Sequence, residues 1–339
     1  MKLIRVIYIT VISFLLASCE TIIEINGEDS EKQLVVHALA QTDSVFSALV
    51  THTLQYGAAD IFMDKFQDFT GEDRTDLSQC VVSNANVILE NSQGTKYTLE
   101  FNPQTMTYQS QYVPKAQETL TLSVTAPDFC SIHSKVTVPT KPSFEILNMH
   151  KEYDKTSYVY YEGIPWYTNA CCEDSLLYLR IKISDEQLKK NYYRLKVRSS
   201  YTPSELSKGE NFIHHDAFMS DDAIFRDENL TEGYFWWPAY FCNVFDDSAF
   251  EGTDYTFTIS TRILKTYTNE RNSLYGYKPI LIIELQQITE DLFYYLKSYL
   301  YHRITDESTY SESVYFPTNI EDGWGIFGAI NTQKTVLTF

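Results

Sequence analysis

Between residues 33 and 140 apolar and polar side chains alternate in short runs, and that rhythm leaves few folds open. The runs are Gln33–Ala40, Val45–Tyr56, Ala85–Glu90, Lys96–Phe101, Thr107–Tyr112, Thr119–Ala126 (TLTLSVTA) and Ser134–Pro139. A period of two sends successive side chains to opposite faces of a strand, so each run has one face for a core and one for water. Gly, Asn and Pro separate the runs, as in Asn91-Ser92-Gln93-Gly94, and helical periodicity is absent. The expectation is an immunoglobulin-like antiparallel β-sandwich over residues 33–140. Residues 57–79 interrupt it as a polar insertion dotted with aromatic residues.

Pro139 and Pro142 mark a boundary, after which residues 141–339 read as a second β-rich domain with long loops. Its strands are expected at Phe144–Tyr153, Leu176–Ser184, Asn191–Ser200, Asp254–Leu264, Pro279–Ile288 and, briefly, Val336–Phe339. One segment reads as a helix, Glu290–Arg303, with Thr289 before it, acids in its first turn and His302-Arg303 in its last. Gly323, Gly325 and Gly328 suggest a structural turn in which Ile326 and Phe327 are buried.

The chain opens with the plan of a secretory signal. Lys2 and Arg5 precede an apolar run, Val6–Ala17, too short to span a bilayer. Leu16-Ala17-Ser18-Cys19 matches the bacterial lipobox, in which the cysteine thiol takes a diacylglyceryl group and becomes the mature N-terminus. Residues 1–18 are therefore expected to be removed, Cys19 to be lipidated, and the acidic stretch 19–32 to serve as a tether. Acyl chains hold a protein on a membrane at about 0.8 kcal/mol per buried CH2.

Loss of Lys2 and Arg5 leaves 25 cationic residues against 45 acidic ones, a net charge of −20 in place of −18. Such a body is repelled by nucleic acid and by anionic lipid, which leaves the lipid anchor as the expected membrane contact. Cys80, Cys130, Cys171, Cys172 and Cys242 are odd in number, so at least one thiol has no intrachain partner. If bridges form, Cys80 with Cys130, and Cys242 with Cys171 or Cys172, are the pairs the sequence order suggests.

No Walker, dinucleotide, G-x-S-x-G or H-E-x-x-H pattern is present, and no cofactor or catalytic residue is expected. His214 and His215, with Asp221 and Asp222 beyond them, have the right donor types for a metal, but adjacent histidines in a strand point apart. Asp246 and Asp247 suit either a calcium loop or turn capping. The aromatic residues Tyr160, Tyr161, Trp166, Trp236, Trp237 and Tyr240 form a partner or ligand contact if exposed and a core if buried.

Several landmarks occur together and in order. Leu34-Val35-Val36 follows the anchor, and Asn84-Ala85-Asn86-Val87 precedes the Gly94 turn. Asn191-Tyr192-Tyr193, Asp221-Asp222 with Ile224-Phe225, and Phe245-Asp246-Asp247 with Phe250-Glu251-Gly252 follow, and Asn319 to Ala329 (NIEDGWGIFGA) closes the series. In these the chain resembles the Bacteroidetes outer-membrane lipoproteins grouped as domain of unknown function 4249. The resemblance implies a lipid-anchored, mainly β protein that accompanies a TonB-dependent receptor as a non-enzymatic accessory. Two other roles stay open on the sequence. One is an exported hydrolase of glycans or peptides using acids among Asp216, Asp221, Asp222, Asp246 and Asp247. The other is a structural or adhesive surface protein.

Overall fold

The structure is a computed structural model. It describes residues 32–53, 80–154, 158–161, 164–167, 174–186, 189–200, 218–227, 242–264, 268–269, 272–273, 280–306 and 314–339. Among them the chain is mainly β, with one α-helix. The strands up to residue 140 are β1 (Leu34–Gln41), β2 (Ser47–His52), β3 (Asn86–Glu90), β4 (Lys96–Asn102), β5 (Thr107–Gln109), β6 (Thr119–Thr125) and β7 (Ile132–Thr137). Those that follow are β8 (Ser143–Asp154), β9 (Tyr158–Tyr161), β10 (Ile164–Tyr167), β11 (Asp174–Ser184), β12 (Tyr192–Ser200), β13 (Phe218–Met219), β14 (Val244–Asp246) and β15 (Tyr255–Leu264). After the two-residue strands β16 (Thr268–Asn269) and β17 (Asn272–Ser273) come β18 (Ile280–Ile288), helix α1 (Glu290–Asp306) and β19 (Trp324–Thr338).

Eleven strands form one sheet, in the order β14-β12-β18-β19-β1-β2-β5-β4-β3-β6-β7. A second sheet, β13-β15-β11-β8, covers part of it. Alternation explains where the strands go. In β7 the burial reads inward–outward without a break, with Ile132, Ser134 and Val136 inside, and β6 buries Leu120, Leu122 and Val124. The apolar ones meet Val36, Ala38 and Val50 of β1 and β2 in a first core, to which Phe46, Tyr108 and Phe327 also belong. Leu195 and Val197 of β12 and Ile283 and Leu285 of β18 face Leu177, Leu179, Ile181, Phe257 and Ile259 of the smaller sheet in a second core. By register, both cores lie on the same face of the large sheet.

The prolines expected to divide the chain lie in a linker that the large sheet holds by hydrogen bonds. Asn331 Nδ2 donates to the Pro139 carbonyl at 3.0 Å, and Thr140 Oγ1 donates to Gln287 Oε1 at 3.1 Å. The Gln333 amide bonds both backbone groups of Phe144. Residues before and after the linker thus contribute to one sheet, joined where β1 pairs with β19.

That pairing is the main departure from the sequence expectation. The turn ends at Gly323, whereas Gly325 and Gly328 lie in strand, and β19 runs for 15 residues with Ile326 and Phe327 fully buried. Glycine is required there by close approach. Gly325 has φ +102°, and a Cβ at that position would sit 2.1 Å from the Val36 carbonyl oxygen. At Gly328 a Cβ would meet Leu292 of α1 at about 3.0 Å, so the helix rests where a side chain is missing.

Helix α1 forms where the sequence places it, and its start is fastened to the sheet. The Thr289 carbonyl accepts from Phe293 N–H at 2.9 Å, the first helical bond. Its hydroxyl accepts from Ala329 N–H of β19 at 3.3 Å. Glu290 accepts from the Tyr192 hydroxyl at 2.5 Å, and Asp291 from Asn319 at 3.0 Å.

Replacing Gly325 with alanine is expected to lower stability by about 3 kcal/mol, because the strained φ and the Val36 carbonyl both oppose a Cβ. Urea unfolding followed by circular dichroism measures this; an unchanged midpoint would contradict the close approach.

Candidate functional site

The opposite face of the large sheet carries a different set of side chains. Alternation along β12 turns Tyr193, Leu195 and Val197 toward the second core and leaves Arg194, Lys196 and Arg198 on this face. Helix α1 covers one part of it. Leu292, Phe293, Tyr295, Leu296 and Tyr299 pack on Leu49, Tyr192, Val244, Ile326 and Ile330 in a third apolar cluster. Beside that cluster lies a cavity of about 350 Å³.

Five strands of the large sheet supply most of its wall. The three cations of β12 stand beside Glu284 and Gln286 of β18, with Arg194 opposite Gln286 and Lys196 opposite Glu284 in the register. Ile330 and Thr332 of β19 come next, then His37, Leu39 and Gln41 of β1 and Ser47 and Leu49 of β2. The β1–β2 turn, Asp43 to Val45, forms a rim. Arg194 is 1% exposed and Lys196 6%. Burying cations is expensive unless anionic or hydrogen-bonding groups meet them. Glu284 is one such group: its Oε1 lies 2.6 Å from Arg198 Nη2 and 3.8 Å from Lys334 Nζ.

His37 sits at the floor, where α1 meets β1. Its Nε2 is 2.9 Å from the Tyr295 hydroxyl, and the rings meet edge to face. Burial makes the imidazolium costly and lowers its pKa to about 3. At neutral pH His37 therefore carries no charge, and the positive charge of the wall comes from β12.

The acids proposed from sequence are distributed differently. Asp222 caps a single 3₁₀ turn (Ala223–Phe225); its Oδ1 accepts from Ile224 N–H at 3.2 Å and from the Tyr255 hydroxyl at 2.8 Å. The Asp221 carbonyl accepts from Arg226. Asp246 accepts from Ser248 N–H and pairs with Lys190 at 3.2 Å. Burial acts to raise the Asp246 pKa, but the bonds from Ser248 and Lys190 outweigh it and hold the carboxyl below its usual value. Asp247 accepts from Asn191 N–H at 2.6 Å, and burial raises its pKa. Asp185 binds Asn191 Nδ2, the Tyr193 hydroxyl and Gly252 N–H, so these carboxylates tie the start of β12 to the loop before β15. Among the described residues, no three metal-ligating side chains come together.

Cys19, His214, His215, Asp216, Trp236, Trp237 and Tyr240 lie outside the described residues, as do Cys171, Cys172 and the insertion 57–79. Tyr160, Tyr161 and Trp166 are described as backbone only, in an antiparallel β9–β10 pair that sets Tyr160 opposite Pro165 and Trp166 opposite Val159. Cys130 and Cys242 are unbridged, so none of the pairings suggested by sequence order forms. Burial pushes the Cys242 thiol up to about 12. The cavity was missed from sequence although a signal existed: R-L-K-V-R sets three cations at period two in a strongly acidic chain.

Such an architecture defines a class: a layered β protein whose large sheet carries two cores on one face and a helix beside a cation-walled cavity on the other. The chain belongs to the family described as domain of unknown function (DUF4249), whose model matches residues 20–335. Comparison with curated proteins gives no match.

His37 makes stability depend on pH. Its folded pKa lies below the unfolded value near 6.5, so the unfolded chain takes the proton first and stability is lost as pH falls from 6.5 toward 3. At pH 4 the loss from this group is about 3 kcal/mol. Urea unfolding of His37→Gln against the unaltered protein from pH 7 to pH 4 is expected to show a correspondingly shallower decline. Parallel curves would contradict the buried neutral imidazole.

Proposed function

We propose that the protein is a lipid-anchored outer-membrane lipoprotein and a non-enzymatic accessory of a TonB-dependent uptake system, binding substrate or docking on the receptor. The observation that carries this reading is the junction of two independent signals. The lipobox ends at Cys19, and the match to the family model begins at residue 20. The body that follows is thus tethered at the residue from which the family resemblance runs.

The acidic balance supports the same reading. A body with 45 acids against 25 cations is held off an anionic surface, so membrane attachment rests on the acyl chains. The hydrolase alternative draws no support from Asp222, Asp246 and Asp247, whose carboxylates cap turns and brace β12. The aromatic segments 158–166 and 234–241 are the first contacts to test against a receptor.

Cys19→Ala is expected to abolish incorporation of labelled palmitate and to move the protein from the membrane pellet to the soluble fraction. Continued labelling would overturn the anchor. Tagged at its C-terminus and recovered from solubilised outer membranes, the unaltered protein is expected to bring one TonB-dependent receptor in comparable amount. Recovery of the lipoprotein alone at normal abundance would overturn the accessory role.

A further inference from the structure

We infer that the cavity beside α1 is a binding site for a small neutral polyhydroxylated molecule, a single sugar in size, held by Gln41, Ser47, Gln286 and Thr332. The inference stands apart from the lipid anchor and the receptor. It rests on the charge balance, lining and size of one cavity.

Charge decides the class of ligand. The three cations on the wall are already engaged within the chain. Arg198 and Lys334 share Glu284, at 2.6 Å and 3.8 Å, and Arg194 and Lys196 have partners of their own. An anion would compete with those partners. It would also meet Asp43, exposed at the rim of a body with 45 acids against 27 cations. A neutral molecule meets neither obstacle.

The wall leaves hydrogen-bonding capacity open instead. Among the described residues, no hydrogen bond within the chain engages the side chains of Ser47, Gln286 or Thr332, and Gln286 Oε1 is buried without a donor. Gln41 Oε1 accepts from Ser44 Oγ at 3.3 Å, and its amide N–H groups add donors to the set. Strand register interleaves these groups with apolar ones. Gln286 lies opposite Thr332, Gln41 opposite Ile330, and Ser47 opposite Leu39. A sugar ring has the matching surface: a C–H face that rests on apolar side chains, and hydroxyls at its edge that both donate and accept. Those hydroxyls replace the water of a polar cavity with bonds of the same kind, whereas an apolar molecule strands the Gln286 carbonyl. The volume, about 350 Å³, lies at the low end of small-molecule sites, roughly 300–1,000 Å³, and suits one ring better than a chain of them.

The test is calorimetric titration of the purified full-length protein, in a polyoxyethylene detergent that carries no sugar, with glucose, galactose, mannose, xylose and N-acetylglucosamine. Sodium glucuronate is the charged control and cyclohexanol the apolar one. At least one sugar is expected to bind with a Kd below about 1 mM, and both controls at least about tenfold more weakly than that sugar. Gln286→Leu and Thr332→Val nearly keep the side-chain size and remove the hydrogen-bonding groups, and each is expected to weaken binding about fivefold. Ser47→Phe, which fills the cavity from β2, is expected to abolish it. Thermal unfolding checks that each variant is folded, and Thr332→Val is a size-matched change at a partly exposed strand position. No binding of any of these sugars at roughly 10 mM, a control bound as tightly as the sugars, or affinity unchanged in a folded variant would each overturn the inference.

Discussion

Everything described depends on one ladder, the parallel pairing of β1 with β19. It is the one parallel pairing among the described strands, and it joins the first strand of the body to the last. Seven residues of β1, Val35 to Gln41, lie in register with Trp324 to Ile330. The approach is close enough at Val36 that only a residue without a Cβ fits opposite, which is why Gly325 stands there. Through β19 the ladder reaches β18 and β12, so both cores rest on one continuous sheet. Side chains reinforce the junction. Asn331, Gln287 and Gln333 hold the 139–144 linker, and Asn319 bonds both backbone groups of Phe327.

The cavity is a consequence of that pairing. Its wall takes residues from β12, β18, β19, β1 and β2, which become neighbours only after the two ends of the chain have met. Helix α1 packs next to it because Gly328 lets Leu292 settle onto the sheet and Thr289 bonds Ala329. The same docking buries His37 against Tyr295 and keeps it neutral, so the cations of β12 set the charge of the wall. One face carries two apolar cores, and the other carries the apolar contact with α1 beside the buried polar residues of β12.

Much of the local structure was legible because it is local. TLTLSVTA alternates in sequence as it does in β6, and Asn91 accepts from Gln93 and Thr95 N–H in the turn expected around it. The helix at 290 announced itself by Thr289, Glu290 and Asp291. What stayed hidden is non-local. Gly325 and Gly328 read as part of a turn because their cause, the approach of Val36 and Leu292, comes from distant parts of the chain. For the same reason the partners of Asp222 and Asp247 were hidden: the first caps a turn and the second holds the start of β12. The cavity is assembled from strands whose order no strand discloses.

Hydrogen exchange of backbone amides tests the central claim most directly. If the β1–β19 ladder unites the body, amides of Val36–Ala40, of Phe327–Ile330 and of the facing segment of β18 exchange at the slowest rates, together, through one global opening. If β1 instead opens with β3, β6 and β7 as a unit while β18 and β19 stay protected, the ladder does not unite the two parts of the chain, and the account is contradicted.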